Sequence, residues 1–400
     1  MSGSIFGSVF RVSTWGESHG KALGAVIDGC PAGIELDEED FREAMKRRSP
    51  GQTRYSTPRS EEDRVEILSG VFEGKTTGAP ISLMIQNTSQ RSGDYGEIAE
   101  MYRPGHADYT FDVKYGFRDY RGGGRSSGRE TAARVAAGCI AGKLLAELGI
   151  NVTAYVKQIG PHSCVRNIYK SVLREYNPED SDAKIIETGF IPNRDLIEKS
   201  PLRMPDPNAS AAAEEYLTGL MEQGDSAGGV IECIATGVMP GLGDPVFDKL
   251  DAALAGALFS IGAVKGVEIG DGFGVIDHTG SQNNDGFCLQ DGEKSDIIAK
   301  MSNHAGGVLG GISDGSDIVL RAAFKPTPSI HKQQRTVNRS GKEVDISIGG
   351  RHDPVILPRA VVVVESMVQL VLADMLLKNM SAKVGDIKRF YDKDNIEKTV

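Results

Sequence analysis

The residues best suited to chemistry fall between Arg103 and Arg134, RPGHADYTFDVKYGFRDYRGGGRSSGRETAAR, which holds six arginines, one lysine and a histidine two residues after a proline. Three glycines there are followed at once by Arg125, Ser126 and Ser127, then by Glu130 and an alanine-rich run. A glycine-rich turn that opens a helix gathers bare backbone N–H groups at one point, where the helix dipole also favours an anion. Arg121, Arg125 and Arg129 would turn that point into a clamp for phosphate or carboxylate groups. The competing reading is a surface loop whose arginines pair with Asp108, Asp112, Asp119 and Glu130. Loops that mix Gly, Arg, Ser and His favour the functional alternative.

Three further places carry reactive types. GESHG, from Gly16 to Gly20, formally matches the nucleophile elbow of serine hydrolases with Ser18 as nucleophile. That elbow needs a helix directly after it, and the glycines and proline at Gly24, Gly29, Pro31 and Gly33 forbid a long one. What remains is His19 in a turn beside Glu17 and Ser18. Lys46, Arg47 and Arg48 end a predicted helix capped by Asp37, where they compensate the dipole. Arg54 and Arg59 follow closely, more positive charge than a helix end needs, and a second anion contact is the other reading. Lastly, GRHDP places Asp353 next to Arg351, where residue types alone read as a paired or turn-capping carboxylate.

The positioning elements can be traced from periodicity and turn residues. Strands are expected over Val9–Ser13, Leu23–Asp28, Val65–Phe72, Pro80–Gln86, Asn151–Ile159, Gly229–Val238 and Ile318–Phe324. Helices are expected at LDEEDFREAMKRRS, Arg129–Leu148, Glu214–Gln223, Asp248–Ile261 and from Pro358 to about Met380. Gly138 and Gly142 mark Arg129–Leu148 as a central helix that neighbours approach closely. Residues 163–210, marked by Pro178, Pro201, Pro205 and Pro207, read as irregular connections. The glycine runs GAVKGVEIGDGFG and SNHAGGVLGGISDG suit either backbone lying against a flat ligand or tight turns between strands.

Composition narrows the function classes. A chain of 400 residues with 40% hydrophobic content can bury a large core. Its net charge of −10 argues against nucleic-acid binding, so any anionic ligand must be drawn by a local basic cluster. Five scattered cysteines without a CxxC pair argue against a disulfide framework and a zinc site, and no metal is expected. No signal peptide is read at the start. The most apolar stretch, Ala360–Leu377, is interrupted by Glu365, Gln369 and Asp374, so it is expected to be a buried helix without contact with a membrane. A cytoplasmic protein is the expectation. Neither a Walker phosphate loop nor a Rossmann glycine motif is present.

Three long motifs stand together: GESHGKALGAVIDGCPAG, the Arg103–Arg134 stretch, and GRHDPVILPRAVVVVES. With SNHAGGVLGGISDG and KPTPSI, they resemble chorismate synthases over nearly the whole chain. The resemblance implies one α+β domain spanning 1–400, a sandwich of central helices between two antiparallel sheets, assembled as a homotetramer. It implies removal of phosphate from C3 and a hydrogen from C6 of 5-enolpyruvylshikimate 3-phosphate, with reduced FMN required although no net redox change occurs, and NADPH as a candidate flavin reductant. By the same resemblance His106 is the acid beside the leaving phosphate, and His19, supported by Ser18, holds or protonates the reduced flavin. Asp353 deprotonates the flavin nitrogen that receives the hydrogen. FMN contacts carry over onto Arg125, Ser126, Ser127, Gly262, Ala263, Gly310, Lys325, Pro326, Thr327, Pro328, Ser329 and Arg351. Arg48, Arg54 and Arg129 carry over as substrate or NADP contacts. Two positions depart from the family pattern: Gly262 replaces a common asparagine, and Pro328 removes an N–H and a hydroxyl from the expected phosphate cradle. A flavin-dependent oxidoreductase on the same scaffold and a non-catalytic anion- or flavin-binding protein are the rival readings.

Overall fold

The computed structural model describes residues 3–57, 63–88, 98–121, 123–164, 173–174, 185–186, 194–289, 298–349 and 352–392. Two five-stranded antiparallel sheets carry the architecture. The first is built from β1 (Ile5–Phe6), β2 (Arg11–Gly16), β3 (Ala22–Asp28), β4 (Val65–Ile67) and β5 (Ile81–Gln86), in the order β1-β2-β3-β5-β4. The second comprises β6 (Asn151–Ile159), β7 (His162–Ser163), β8 (Gly229–Thr236), β9 (Val264–Ile269) and β10 (Ile318–Phe324), in the order β9-β10-β8-β6-β7. Alternation along β5, with Ile81, Leu83 and Ile85 fully buried, turns one face of the first sheet to the interior. Register in the second sheet slips between Val230 and Ile231, opposite a bulge in β6 where Lys157 is the extra residue.

Between the sheets lie two helices, α3 (Thr131–Ala146) and α6 (Leu357–Asn379). α3 packs on β3 and β5, α6 packs on β6 and β8, and the two helices pack on each other. The observed α+β sandwich is therefore sheet, helix, helix, sheet. A single apolar cluster runs through all four layers, from Leu23 and Leu83 through Ala136 and Val364 to Ile231. Close helix contact explains the small residues of α3: a Cβ on Gly138 would lie 2.4 Å from the Ser366 Cβ. α1 (Arg42–Arg48) packs against both of these helices, and α5 (Leu250–Phe259) packs against α6 and β9.

Among the described residues α6 is the one helix long and apolar enough to cross a membrane, yet 83% of its most apolar window is buried within the protein. Its polar residues have defined work. Glu365 accepts from Arg47 (2.5 Å) and from the Ala154 N–H (3.0 Å). Asp374 accepts from the backbone N–H groups of Ser8, Val9 and Phe10 at 2.7–3.0 Å. These bonds satisfy three donors in the turn between β1 and β2, and a carboxylate acceptor makes them the stronger kind.

Several expected boundaries change. The strand read over Val65–Phe72 is split into Val65–Ile67 and a separate hairpin strand, Val71–Phe72. Within 163–210, read as irregular, Arg194–Lys199 is helical, and α4 (Pro207–Glu222) begins well before the expected Glu214. Pro207 occupies the first helical turn, where its missing N–H costs nothing, and Asp206 caps the helix through the Asn208 and Ala209 N–H groups. Asp37 caps a 3₁₀ turn, Glu38–Phe41, that leads into α1 through a reciprocal pair with Asp40.

Candidate active site

Where α3 begins, a cavity of about 800 Å³ opens. Among the described residues it is lined by seven cationic side chains, Arg48, Arg103, Arg125, Arg129, Arg134, Lys325 and Arg359, against two carboxylates, Glu130 and Asp353. This local excess opposes the overall acidity of the chain and suits a multiply anionic ligand.

The motif that carries His106, just ahead of α2 (Asp108–Tyr115), closes on itself. Arg103 makes two side-chain bonds of 2.8 Å to Asp108, and its own N–H donates to the same carboxylate at 3.0 Å. Pro104 and Gly105 (φ 71°) turn the chain between those ends, and His106 N–H reaches back to the Arg103 carbonyl. His106 Nδ1 lies 3.0 Å from the Pro104 carbonyl, which makes Nδ1 the protonated nitrogen and leaves Nε2 toward the Ser329 hydroxyl at 2.9 Å. Burial, reinforced by the positive charge of Arg103, lowers the His106 pKa to about 4.

Two segments frame this turn. Lys325 Nζ donates to the Gly105 carbonyl at 2.5 Å, and Pro328 packs where a side chain on Gly105 would stand. Pro328 thus holds the histidine turn in place, a use that compensates for its lost N–H. Beyond it, Ala263 adopts φ 74°, a costly conformation for a residue with a Cβ, at the cavity wall. Its carbonyl accepts from the Lys325 N–H at 2.9 Å.

The guanidiniums are held from behind. Arg48 and Arg129 share the carboxylate of Asp63, which is wholly buried. Burial alone would raise the Asp63 pKa, but the two guanidiniums override it and hold it low. Arg129 also donates to Asn87 at 3.0 Å. Arg125 reaches the Gly16 carbonyl (3.1 Å) and the Thr14 hydroxyl (2.6 Å), so it stitches the glycine-rich turn to β2. The Ser126 hydroxyl donates to the Gly123 carbonyl, and Ser127 caps the 3₁₀ turn that leads into α3. Ser18 Oγ lies 3.2 Å from His19 Nδ1, and both line the cavity.

Asp353 faces the cavity with both oxygens engaged. One accepts from the Thr57 N–H at 2.6 Å, and the other pairs with Arg359 at 2.5 Å. Arg359 in turn donates to the Arg48 carbonyl. The expected partner Arg351 lies outside the described residues.

The cavity therefore gathers Ser18, His19, Arg48, His106, Arg125, Ser126, Ser127, Arg129, Gly262, Ala263, Lys325, Thr327, Pro328, Ser329 and Asp353 from seven separated stretches. Others of the expected set do not line it. Arg54 is 68% exposed and turns toward Tyr55 and Glu214. Gly310 sits in the hairpin Val308–Ser313, and Pro326 stands behind Lys325 against Gly228. Arg121, expected in the clamp, is bound to Asp119 through two bonds at the surface, so the loop reading holds for that arginine.

Comparison with known proteins agrees with this geometry. A family model described as chorismate synthase matches residues 10–377. The chorismate synthase of Lachnoclostridium phytofermentans is 58% identical over 398 residues, covering 98% of this chain and all of that protein. That of Roseiflexus castenholzii is 49% identical over 384 residues, covering 96% and 99%. A crystal structure of a chorismate synthase superposes with a TM-score of 0.71 at 33% identity, over 99% of this chain and all of the other. The chain belongs to the chorismate synthase family.

Chorismate synthases are phosphate-eliminating lyases that work with a reduced flavin, and the cavity can be tested for fit to such a group. Arg48 Nε, Thr57 Oγ1 and Thr327 Oγ1 are buried without a hydrogen-bond partner, and all three residues line the cavity. Unpaired buried polar atoms are costly unless a ligand satisfies them, so the donor set fits a polar, anionic cofactor or substrate. Sequence reasoning missed Asp63, Asn87, Arg134 and Arg359. Arg134 donates to the Ser260 hydroxyl at 2.6 Å and bridges α3 to the end of α5. A signal existed for Arg359, a lone cation opening an otherwise apolar helix. For Asp63 the sequence holds no comparable signal.

Proposed function

We propose that this cavity binds 5-enolpyruvylshikimate 3-phosphate and converts it into chorismate and phosphate. The observation that carries the reading is the convergence of His19, His106 and Asp353 on one cavity whose walls carry seven cations. A substrate with two carboxylates and a phosphate needs such a wall, and bidentate guanidiniums match its planar groups.

In the reaction the C3–O bond breaks with its electron pair leaving on phosphate, and C6 gives up a hydrogen, so the product gains a conjugated double bond. Charge grows on the departing phosphate, where Arg48 and Arg129, already oriented by Asp63, stabilise it without reorganising. His106 offers Nε2 at the mouth of the Lys325–Ser329 segment. A phosphate dianion there raises its proton affinity, so the imidazole gains a proton on binding and returns it to the leaving group. Ser329 orients Nε2, while the Pro104 carbonyl fixes the other nitrogen. Reduced FMN, once bound, would offer electron density for the breaking bond and an acceptor for the C6 hydrogen, with no net redox change. Arg125, Ser126, Ser127, Gly262, Ala263, Lys325, Thr327, Pro328 and Ser329 are the residues to hold it, with Ala263 contributing backbone where Gly262 contributes no side chain. His19, hydrogen-bonded to Ser18, would hold or protonate the reduced flavin on that side, and Asp353 would carry the proton away.

The homotetramer, NADPH as reductant and a cytoplasmic location belong to this proposal as family traits. An anaerobic assay with chemically reduced FMN tests it: one phosphate is expected per chorismate formed, with the flavin returned to its starting state. Net oxidation of a nicotinamide without phosphate release would instead establish the oxidoreductase alternative. A parallel arm under air with NADPH and oxidised FMN decides whether the chain reduces its own flavin.

A further inference from the structure

Away from the cavity, Asp271, His278 and His304 bring two imidazoles and a carboxylate together, with one ligand atom from each lying within 4.8 Å of the others. Asp271 Oδ2 lies 2.6 Å from His304 Nδ1 and 3.5 Å from His278 Nδ1. The two rings meet edge to face at 5.2 Å. None of the three residues lines the cavity.

Two observations point beyond an ordinary Asp–His pair. First, His278 Nδ1 is buried and makes no hydrogen bond, although a carboxylate oxygen stands beside it. A buried ring nitrogen left unpaired is costly, and a metal ion placed between the three groups removes that cost. Second, the backbone is set before any ligand arrives. Asp271 N–H donates to the His304 carbonyl at 2.9 Å, which locks those two residues side by side. The His304 segment is itself anchored by Asp285, which accepts from His304 N–H, Ala305 N–H and the Ser302 hydroxyl. His278 ends the 3₁₀ turn Gly272–Asp277 that follows Asp271 directly.

We infer that Asp271, His278 and His304 form a mononuclear site for a divalent transition-metal ion of the zinc class. Tetrahedral coordination at about 2.1 Å places ligand atoms about 3.4 Å apart, so the His278–Asp271 spacing already fits and the His304–Asp271 contact opens by about 1 Å. Two imidazoles with one carboxylate select zinc, cobalt or nickel over magnesium or calcium. The ligand side chains are each about one-third exposed, which leaves a position for water. Coordination at Nδ1 requires the His304 proton that faces Asp271 to leave that nitrogen, so that each neutral imidazole keeps its ring proton on Nε2 and metal uptake is coupled to that proton transfer. The ion would staple the Gly272–Asp277 turn to the end of β9.

The test is a titration of the full chain, freed of metal by a chelator, with Co²⁺ followed by Zn²⁺ and read by visible absorption. The wild type is expected to bind one Co²⁺ per chain, displaced by Zn²⁺, with affinity at least tenfold weaker in His278→Ala. His304→Ala provides a second variant, and circular dichroism checks that both fold. Absence of the cobalt band in the wild type overturns the inference. Unchanged affinity in both variants does so as well, because other histidines would then hold the ion.

Discussion

His106 gives the sharpest test of the site. The protein's own groups hold its pKa at about 4, so at pH 7 the ring is neutral and cannot act as an acid. One net negative charge about 4 Å away is worth about 4 kcal/mol at an effective dielectric constant of about 20. At about 1.4 kcal/mol per unit this raises the pKa by about 3 units, close to neutrality. Binding of the phosphorylated substrate at pH 7 should therefore draw roughly half a proton onto the imidazole. Calorimetric titration in buffers of different ionisation enthalpy measures this directly, and His106→Gln provides the reference. Protonation of the substrate phosphate occurs with both proteins and cancels in the difference. The basic limb of kcat should report the raised pKa of the complex, whereas kcat/KM reports the free enzyme. Equal proton uptake by the wild type and His106→Gln would refute the assignment.

The same depressed pKa has a stability consequence whose sign is fixed. As pH falls from about 6.5 to 4 the unfolded chain binds the proton first, so the wild type loses up to about 3 kcal/mol that His106→Gln retains; urea melts across that range would show it. Asp374→Ala strips one acceptor from three N–H groups and should lower stability by about 3 kcal/mol, seen as a shifted urea midpoint at unchanged slope, with Asp374→Asn milder. Gly138→Ala forces a Cβ onto Ser366 and should cost about 1–3 kcal/mol despite its better helix propensity; a rise in Tm would contradict the close helix contact. Asp63→Asn leaves Arg48 and Arg129 without their shared counter-charge and should lower kcat as well as raise KM; unchanged values of both would show that the pair does not meet substrate.

Much of the site could be read in the sequence because it is local. RPGHAD contains its own turn, its own ion pair and its histidine within six residues, so residue type and spacing convey the arrangement. The glycine-rich turn and the helix after it are legible for the same reason. What escaped depends on distance along the chain. Arg47 and Arg48 are neighbours on one helix, yet one turns to Glu365 in the core, 318 residues on, and the other to Asp63 at the cavity, 15 residues on, a choice that spacing along the helix does not reveal. Arg54 and Arg121 resemble their neighbours in type, and only the folded chain shows that their charges are spent on Glu214 and Asp119. Asp63 has no motif around it and matters solely because two distant arginines meet there. Sheet order was equally hidden, since strand periodicity names faces and not neighbours.

Asp353 ties the segment carrying Thr57 to the opening of the last long helix through one carboxylate. A proton arriving on that group would weaken both ties at once, because a neutral acid is a poorer acceptor for an amide and no counter-ion for a guanidinium. The residue that clears a proton would then also unlatch one side of the chamber, and turnover would carry its own signal for opening. Faster amide exchange at Thr57 during turnover than with substrate bound but unreacted would reveal that release.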